Sequence, residues 1–256
     1  MKLRILRADP AGNVTVFVLD AVEKAERSRI AQRIMAMPEW GAEQVGFACS
    51  PCSDVDGRME MAGGEFCGNA TRAYGMVLAR QRGKDGTFRL EVSGCHHPLA
   101  VCVTGETACT EMPLPLWERQ ESVKDIPCTL VHLGGIAHLI VENVIPSTDF
   151  FADAEPILQS LPDLDAYGVI FLDGSRLTPL IKVPSQHTLV WEGSCGSGSL
   201  AAAAARSCHM ADGSVSFTFR QPAGTVTAEI ERCAGRMTAA RISGSVILGE
   251  PQEIEV

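Results

Sequence analysis

GGEFCGNATRAYGMVLAR (63–80) and EGSCGSGSLAAAAARSC (192–208) share one design: a Cys-Gly pair in glycine-rich text, then a run of small, helix-favouring residues. The pairs begin at Cys67 and Cys195, which lie 128 residues apart in a chain of 256. A thiol at the head of a helix sits at the positive end of the helix dipole, beside amides with no intrahelical partner. There a cysteine ionises more readily than its free pKa of about 8.5 allows. One such thiol suggests a nucleophile; two at matching positions suggest an acid–base pair and a chain of two related halves.

The text around the pairs supports two halves. Alternating or β-branched runs bounded by turn residues occur at 2–7, 14–20, 58–62, 87–92 and 99–103, and again at 129–133, 137–142, 167–173, 179–183, 214–219, 225–230 and 245–249. Residues 21–37 have helical spacing with Pro38 just beyond, and 149–161 is the counterpart, with Pro156 inside it. Residues 67–82 and 195–210 add one helix per half. Each half thus reads strands, helix, strands, Cys-Gly helix, strands. The break is expected in PLPLWERQESVKDIP (113–127), where proline and charge interrupt the strand pattern, giving domains 1–118 with Cys67 and 119–256 with Cys195. A sheet wrapped around a central helix suits such a half, and a cleft between two such domains is a common place for a small ligand.

With 46% apolar residues the chain can bury a large core without metal or disulfide staples. A net charge of -9 with no basic block argues against nucleic acid or an anionic membrane as partner and leaves a small molecule. MKLRILRADPAG (1–12) is too charged for a signal peptide, and no stretch approaches the ~20 apolar residues of a membrane span. The expectation is a soluble, cytoplasmic protein whose ten cysteines are reduced.

FCGNATRA (66–73) and SCGSGSLAA (194–202) resemble the two catalytic motifs of the diaminopimelate epimerase family of cofactor-independent amino-acid racemases and epimerases. The resemblance covers essentially the whole chain. PAGNVTVFVLD (10–20) is similar to that family's Gly-Asn loop, EQVGF (43–47) to its Asp-Gln segment, and GGIAHLIV (134–141), more loosely, to its Gly-Asn-Pro-His segment. The resemblance implies an α+β fold of two pseudo-symmetric domains, each a β-barrel-like sheet around a central helix, with the cysteines facing each other across a cleft. It implies that Cys67 and Cys195 are catalytic, and that Asn13, Gln44 and Asn69 line the site. His138 would orient a thiol. It implies no cofactor and no metal.

The chemistry fits the parts. Inverting an amino-acid Cα needs a base on one face and an acid on the other, and two thiols can exchange those roles with direction. Amides at Gly68, Asn69, Gly196 and Ser197 would grip the α-carboxylate where charge develops. If the thiols approach closely, oxidation would join them and stop turnover.

The departures bear on substrate. Where the family has an Arg before its second cysteine to hold a distal carboxylate, this chain reads PSQHTLVWEGSC (184–195), with Gln186 and His187. Ile136 and Gly168 stand where asparagines are expected. Losing those contacts argues against diaminopimelate, with Trp191 and Glu192 as replacements. WEGSCGSGS (191–199) resembles the branch that racemises histidine for opine-type metallophore synthesis, so histidine is the expected substrate. A homodimer is a candidate assembly. The rivals are a diaminopimelate epimerase with an altered distal pocket and a non-catalytic amino-acid-binding protein on the same scaffold.

Other features have plainer readings. Cys49 and Cys52 have redox spacing but lack a following helix, and so read as a loop pair. Cys95-His96-His97 reads as a turn, since neighbouring side chains on an extended segment point to opposite faces. Cys102, Cys109, Cys128 and Cys233 read as core residues. GSGS (196–199) lacks the Lys-Ser/Thr of a nucleotide loop.

Overall fold

The computed structural model describes residues 1–184 and 187–256, and a strands–helix–strands–helix–strands series occurs in it twice, with extra strands in the second. The first series is β1 (Lys2–Asp9), β2 (Thr15–Val18), α1 (Lys24–Met35), β3 (Gln44–Cys49), β4 (Gly57–Met61), α2 (Gly68–Arg82), β5 (Gly86–Val92), β6 (Leu99–Thr104) and β7 (Thr107–Glu111). The second is β8 (Trp117–Val123), β9 (Ile126–His132), β10 (Ile136–Glu142), α3 (Thr148–Gln159), β11 (Ala166–Asp173), β12 (Arg176–Val183), β13 (Thr188–Trp191), α4 (Gly196–Ser207), β14 (Gly213–Gln221), β15 (Gly224–Cys233) and β16 (Arg236–Ser245). Two short strands, β17 (Ile247–Leu248) and β18 (Gln252–Glu255), end the chain.

The pairings repeat as well. β2 and β3 are parallel across α1, as β10 and β11 are across α3. β4 and β5 are parallel across α2, as β12 and β14 are across α4. Parallel neighbours need a crossover, and in each case a helix supplies it. The hairpins between them are antiparallel: β3–β4 and β5–β6 in one series, β11–β12 and β14–β15 in the other.

α2 and α4 are the central helices. α2 packs against β2 and β4 to β7, and residues 68–79 are all buried; α4 packs against β9 to β11, β14 and β15. A helix buried on every side must be surrounded, and the alanines of both runs let strands approach closely. The core around α2 gathers Phe17, Met59, Tyr74, Phe88 and Val101. A second core lies under α1 with Ile5, Ile30, Ile34 and Phe47, and a third under α3 with Phe150, Phe151, Leu158 and Phe171. Each such side chain contributes about 1.5–3 kcal/mol. The architecture is α+β, a sheet wrapped around a central helix in each series, as the sequence implies.

The division of the chain differs from the expected one at 118/119. The compact units are Met1–Glu111 with Ser243–Val256, and Met112–Ile242. The tail returns because β17 and β18 both pair antiparallel with β1, and the terminal ammonium of Met1 donates to the Val256 carbonyl at 2.7 Å. In the second unit β8 does the same for β9. That strand runs through the stretch expected to be the break. It ends in a two-residue hairpin at Lys124 and Asp125, both at positive φ (47° and 66°), with Val123 paired to Ile126. The charged side chains of WERQESV mask its alternation. β3, β7, β13, β16 and β18 are likewise strands beyond those expected. α3 forms despite Pro156, with Ser147 Oγ accepting from the Phe150 amide at 3.1 Å. No helix among the described residues is long and apolar enough to cross a membrane.

Candidate active site

Cys67 and Cys195 are the N-caps of α2 and α4, with near-identical backbones at φ -133°, ψ 110° and φ -125°, ψ 110°. Each sulfur accepts the amide N–H three residues on, Ala70 at 3.4 Å and Gly198 at 3.2 Å. Each carbonyl accepts the amide and the hydroxyl of the residue four on, with Oγ distances of 2.8 Å for both Thr71 and Ser199. The sulfur replaces the usual Ser or Asp oxygen of a cap, at the positive end of the dipole. That placement favours a thiolate.

Around Cys67 the partners are amides. Gln44 Nε2 donates toward Sγ at 3.3 Å, Asn13 Oδ1 at 2.8 Å and Thr15 Oγ1 at 2.8 Å. Parallel register sets Thr15 opposite Gln44, and this brings the two loops to the sulfur. Cys67 Sγ also lies 3.8 Å from Asn13 Oδ1, while Asn13 Nδ2 donates to Glu43 Oε2 at 2.9 Å. Desolvation holds the Glu43 carboxyl above its ordinary range against the Asn13 hydrogen bond, and Asp9 adds to the rise. Behind the turn lies Arg72, whose Nε donates to Asn69 Oδ1 at 3.2 Å.

Cys195 stands in a different setting. It is buried, and Gln221 fixes its loop, Oε1 accepting the Cys195 amide at 2.7 Å and Nε2 donating to Ser199 Oγ at 2.8 Å. Ser197 Oγ lies 3.4 Å from Sγ and 2.9 Å from His138 Nε2. Burial raises the Cys195 thiol well above its ordinary value, and the negative charge of Glu192 raises it further, against hydrogen bonds from Ser197 and Gly198. His138 is fully buried and burial lowers its pKa to about 3, so the ring is neutral. Its Nδ1 has no partner among the described residues. An orphaned N–H is the costlier vacancy, so we place the proton on Nε2, where it donates to Ser197 and frees that hydroxyl to donate to Sγ.

The residues expected from the sequence therefore fall in two groups. Asn13, Gln44, Cys67, Gly68 and Asn69 come together in the first unit, and His138, Glu192, Cys195, Gly196 and Ser197 in the second. Trp191 packs its ring 6.0 Å from that of Phe171 at the end of β13 and is 44% exposed. Gln186 lies outside the described residues. Gly168, paired with His138, has no room for an asparagine: a Cβ there would lie 2.5 Å from the Leu180 carbonyl oxygen and 2.4 Å from Ile181 Cδ1. Sequence reasoning passed over Glu43, Arg72 and Gln221. The signal for Arg72 was a charge inside an otherwise apolar helix run; a glutamine ending a strand gave none.

The plainer readings meet the structure in detail. Cys95 sits in a turn with its sulfur 3.9 Å from His97 Nδ1, and His96 and His97 are exposed. Cys49 ends β3 and Cys52 lies in the exposed loop beyond. Cys128 is buried as expected of a core residue, whereas Cys102 and Cys233 are exposed and Cys109 only partly buried. They occupy the outward positions of alternating strands, which a residue count cannot assign. No group of three or more His, Cys, Asp or Glu among the described residues is placed to hold a metal ion.

Among solved structures, the hydroxyproline epimerase of Agrobacterium vitis shares the fold with a TM-score of 0.68 at 13% identity, over 99% of this chain and 92% of that one. The histidine racemase of Staphylococcus aureus is 29% identical over 258 residues, 93% of this chain and 92% of its own. That of Fusobacterium nucleatum is 31% identical over 215 residues, 78% of each. The family model described as the histidine racemase CntK N-terminal domain matches residues 2–250, a span that holds both cysteine caps, Gln44, His138 and Arg72. The chain belongs to the histidine racemase CntK family.

Proposed function

We propose that this chain is a cofactor-independent histidine racemase in which Cys67 and Cys195 exchange the α-proton. The observation that carries the reading is the matched pair of cysteine N-caps, each sulfur held by an amide of its own helix. One thiolate removes the α-proton, and the other thiol delivers a proton to the opposite face; the mirror-image substrate uses the reverse. The α-proton is far less acidic than any side chain, so the carbanionic transition state needs electrostatic support. First-turn amides at Gly68, Asn69, Gly196 and Ser197 supply it to the α-carboxylate. The Ser197 hydroxyl, aimed by neutral His138, stabilises the Cys195 sulfur when that side becomes the base. Glu192 favours its protonated form for the opposite direction. Histidine as substrate is supported by the names of the relatives and by the crowding at Gly168, which excludes a polar contact expected for diaminopimelate.

Proton NMR in D2O with reduced protein and a panel including histidine and diaminopimelate tests the reading. Loss of the α-proton signal of histidine, abolished in Cys67→Ala and Cys195→Ala, is expected. Exchange confined to diaminopimelate would replace the substrate, and absence of exchange across the panel would favour a binding protein. The same reading takes the enzyme as cytoplasmic and homodimeric. Cell fractionation and sedimentation at micromolar concentration check those two points.

A further inference from the structure

The two caps make the same hydrogen bonds through the residue four beyond each cysteine and part company in charge at the fifth. In α4 that residue is Leu200, fully buried; in α2 it is Arg72, also fully buried. Of the described residues, Arg72 is the bulkiest to be completely enclosed. Its hydrogen bonds go to neutral oxygens: Asn69 Oδ1, the Ser245 carbonyl at 2.9 Å and the Pro10 carbonyl at 3.0 Å. Among the described residues it forms no ion pair with a carboxylate. Enclosing a guanidinium without a paired anion is costly, and a negative charge nearby offsets that cost.

We propose that Arg72 is a positioning residue whose buried positive charge keeps Cys67 ionised in the resting protein, making Cys67 the resting base and Cys195 the resting acid. The inference rests on the racemase reading for its consequence but not for its physics. Burial lowers the Arg72 pKa to about 10, still well above neutrality, and negative charge at Cys67, Asp9 or Cys109 acts to raise it. Among the described residues, the groups near Cys67 include the Asn13 and Gln44 amides; Glu43 accepts from Asn13, and the Asp9 carboxyl acts on both Glu43 and Arg72. The two carboxyls oppose a thiolate, so the guanidinium and the helix end must outweigh them. The second unit differs where it matters for charge: leucine replaces the arginine, and Glu192 raises the Cys195 thiol with no buried cation of that position to oppose it. Two chemically identical side chains on near-identical backbones are thereby made unequal.

Site-resolved alkylation tests this without substrate. Reduced protein is treated with iodoacetamide from pH 5 to 10, and the Cys67 peptide is quantified by mass spectrometry in the wild type, Arg72→Lys and Arg72→Met, with circular dichroism confirming the fold. The wild-type midpoint is expected at least about one unit below the free value of about 8.5. Arg72→Lys should stay near it. Arg72→Met should move up by a unit or more and lose about tenfold in α-proton exchange at pH 7, recovering toward pH 9. A wild-type midpoint at or above about 8.5 overturns the proposal even if Arg72→Met does not fold. So does a folded Arg72→Met with an unmoved midpoint, or a folded Arg72→Lys that behaves like Met. If the midpoints move as expected while no amino acid exchanges, the racemase reading fails and the role of Arg72 stands.

Discussion

Alanine at Gly198 would place a Cβ 2.6 Å from Ile170 Cδ1 and 3.1 Å from the Cys195 sulfur, so the cap must shift to admit one methyl group. We expect Gly198→Ala to cost about 1–3 kcal/mol by thermal unfolding and to lower α-proton exchange by more than the stability loss explains; an unchanged exchange rate would mean the sulfur position is not critical. His138 makes a second residue-scale prediction. Its neutral form is favoured in the fold, so below pH 6.5 the unfolded chain binds a proton that the folded chain refuses until about pH 3. Stability therefore falls as pH drops through that window, by up to about 1.4 kcal/mol per pH unit. In His138→Asn the melting temperature should fall less steeply between pH 6.5 and 5, where carboxylates contribute little. Much of the site was legible because Cys67, Gly68, Asn69, Gly196 and Ser197 are adjacent in sequence and their chemistry is local. Arg72 is equally local, but its meaning depends on what encloses it, and enclosure is a property of the packed strands. Gln221 reaches Cys195 from 26 residues away, a contact that no spacing announces.

At the scale of elements, the hairpin at Lys124 and Asp125 is the sharpest case of local chemistry overruled by the sheet. Both residues hold the left-handed backbone of a tight two-residue turn, for which Asn-Gly is the favoured pair. Replacing Lys124-Asp125 by Asn-Gly should raise stability by about 0.5–1 kcal/mol, read by urea unfolding, with activity unchanged; no gain would mean the present pair is already compensated by contacts such as the Lys124–Asp153 ion pair at 2.7 Å. Strands with clean alternation, such as β14 and β15, are readable from their text. β8 was not, because charges line much of its length and its partner β9 supplies the order. α1 to α4 were readable from periodicity and composition: the expected ends of α2 hold to within one residue, where Cys67 and Gly83 cap it, whereas the expected start of α1 and end of α4 each ran three residues too far.

For the whole molecule, the two-halves reading held for the repeated order of elements and failed for the chain's path. The pseudo-repeat needs an extra strand beside β1 and beside β9, and the two units take it from opposite directions in sequence, β18 for one and β8 for the other. Nothing in residues 252–255 announces that destination, since Gln252 and Glu253 are exposed and the strand is short. Deleting residues 250–256 should uncover Leu3 and Ile5 and lower the melting temperature of the first unit while leaving the second nearly as stable, which hydrogen exchange by unit would resolve; uniform loss would show that the two melt together. The same closure bears on the ribosome. Residues 112–242 form an uninterrupted unit that can fold as it emerges, whereas the unit that holds β1 waits for β18, which follows all of residues 112–242 in the chain. At about 5–20 residues per second that wait lasts on the order of ten seconds, with the β1 edge open to chaperones throughout. The half that carries Cys67 is the first to be made and the last to be finished.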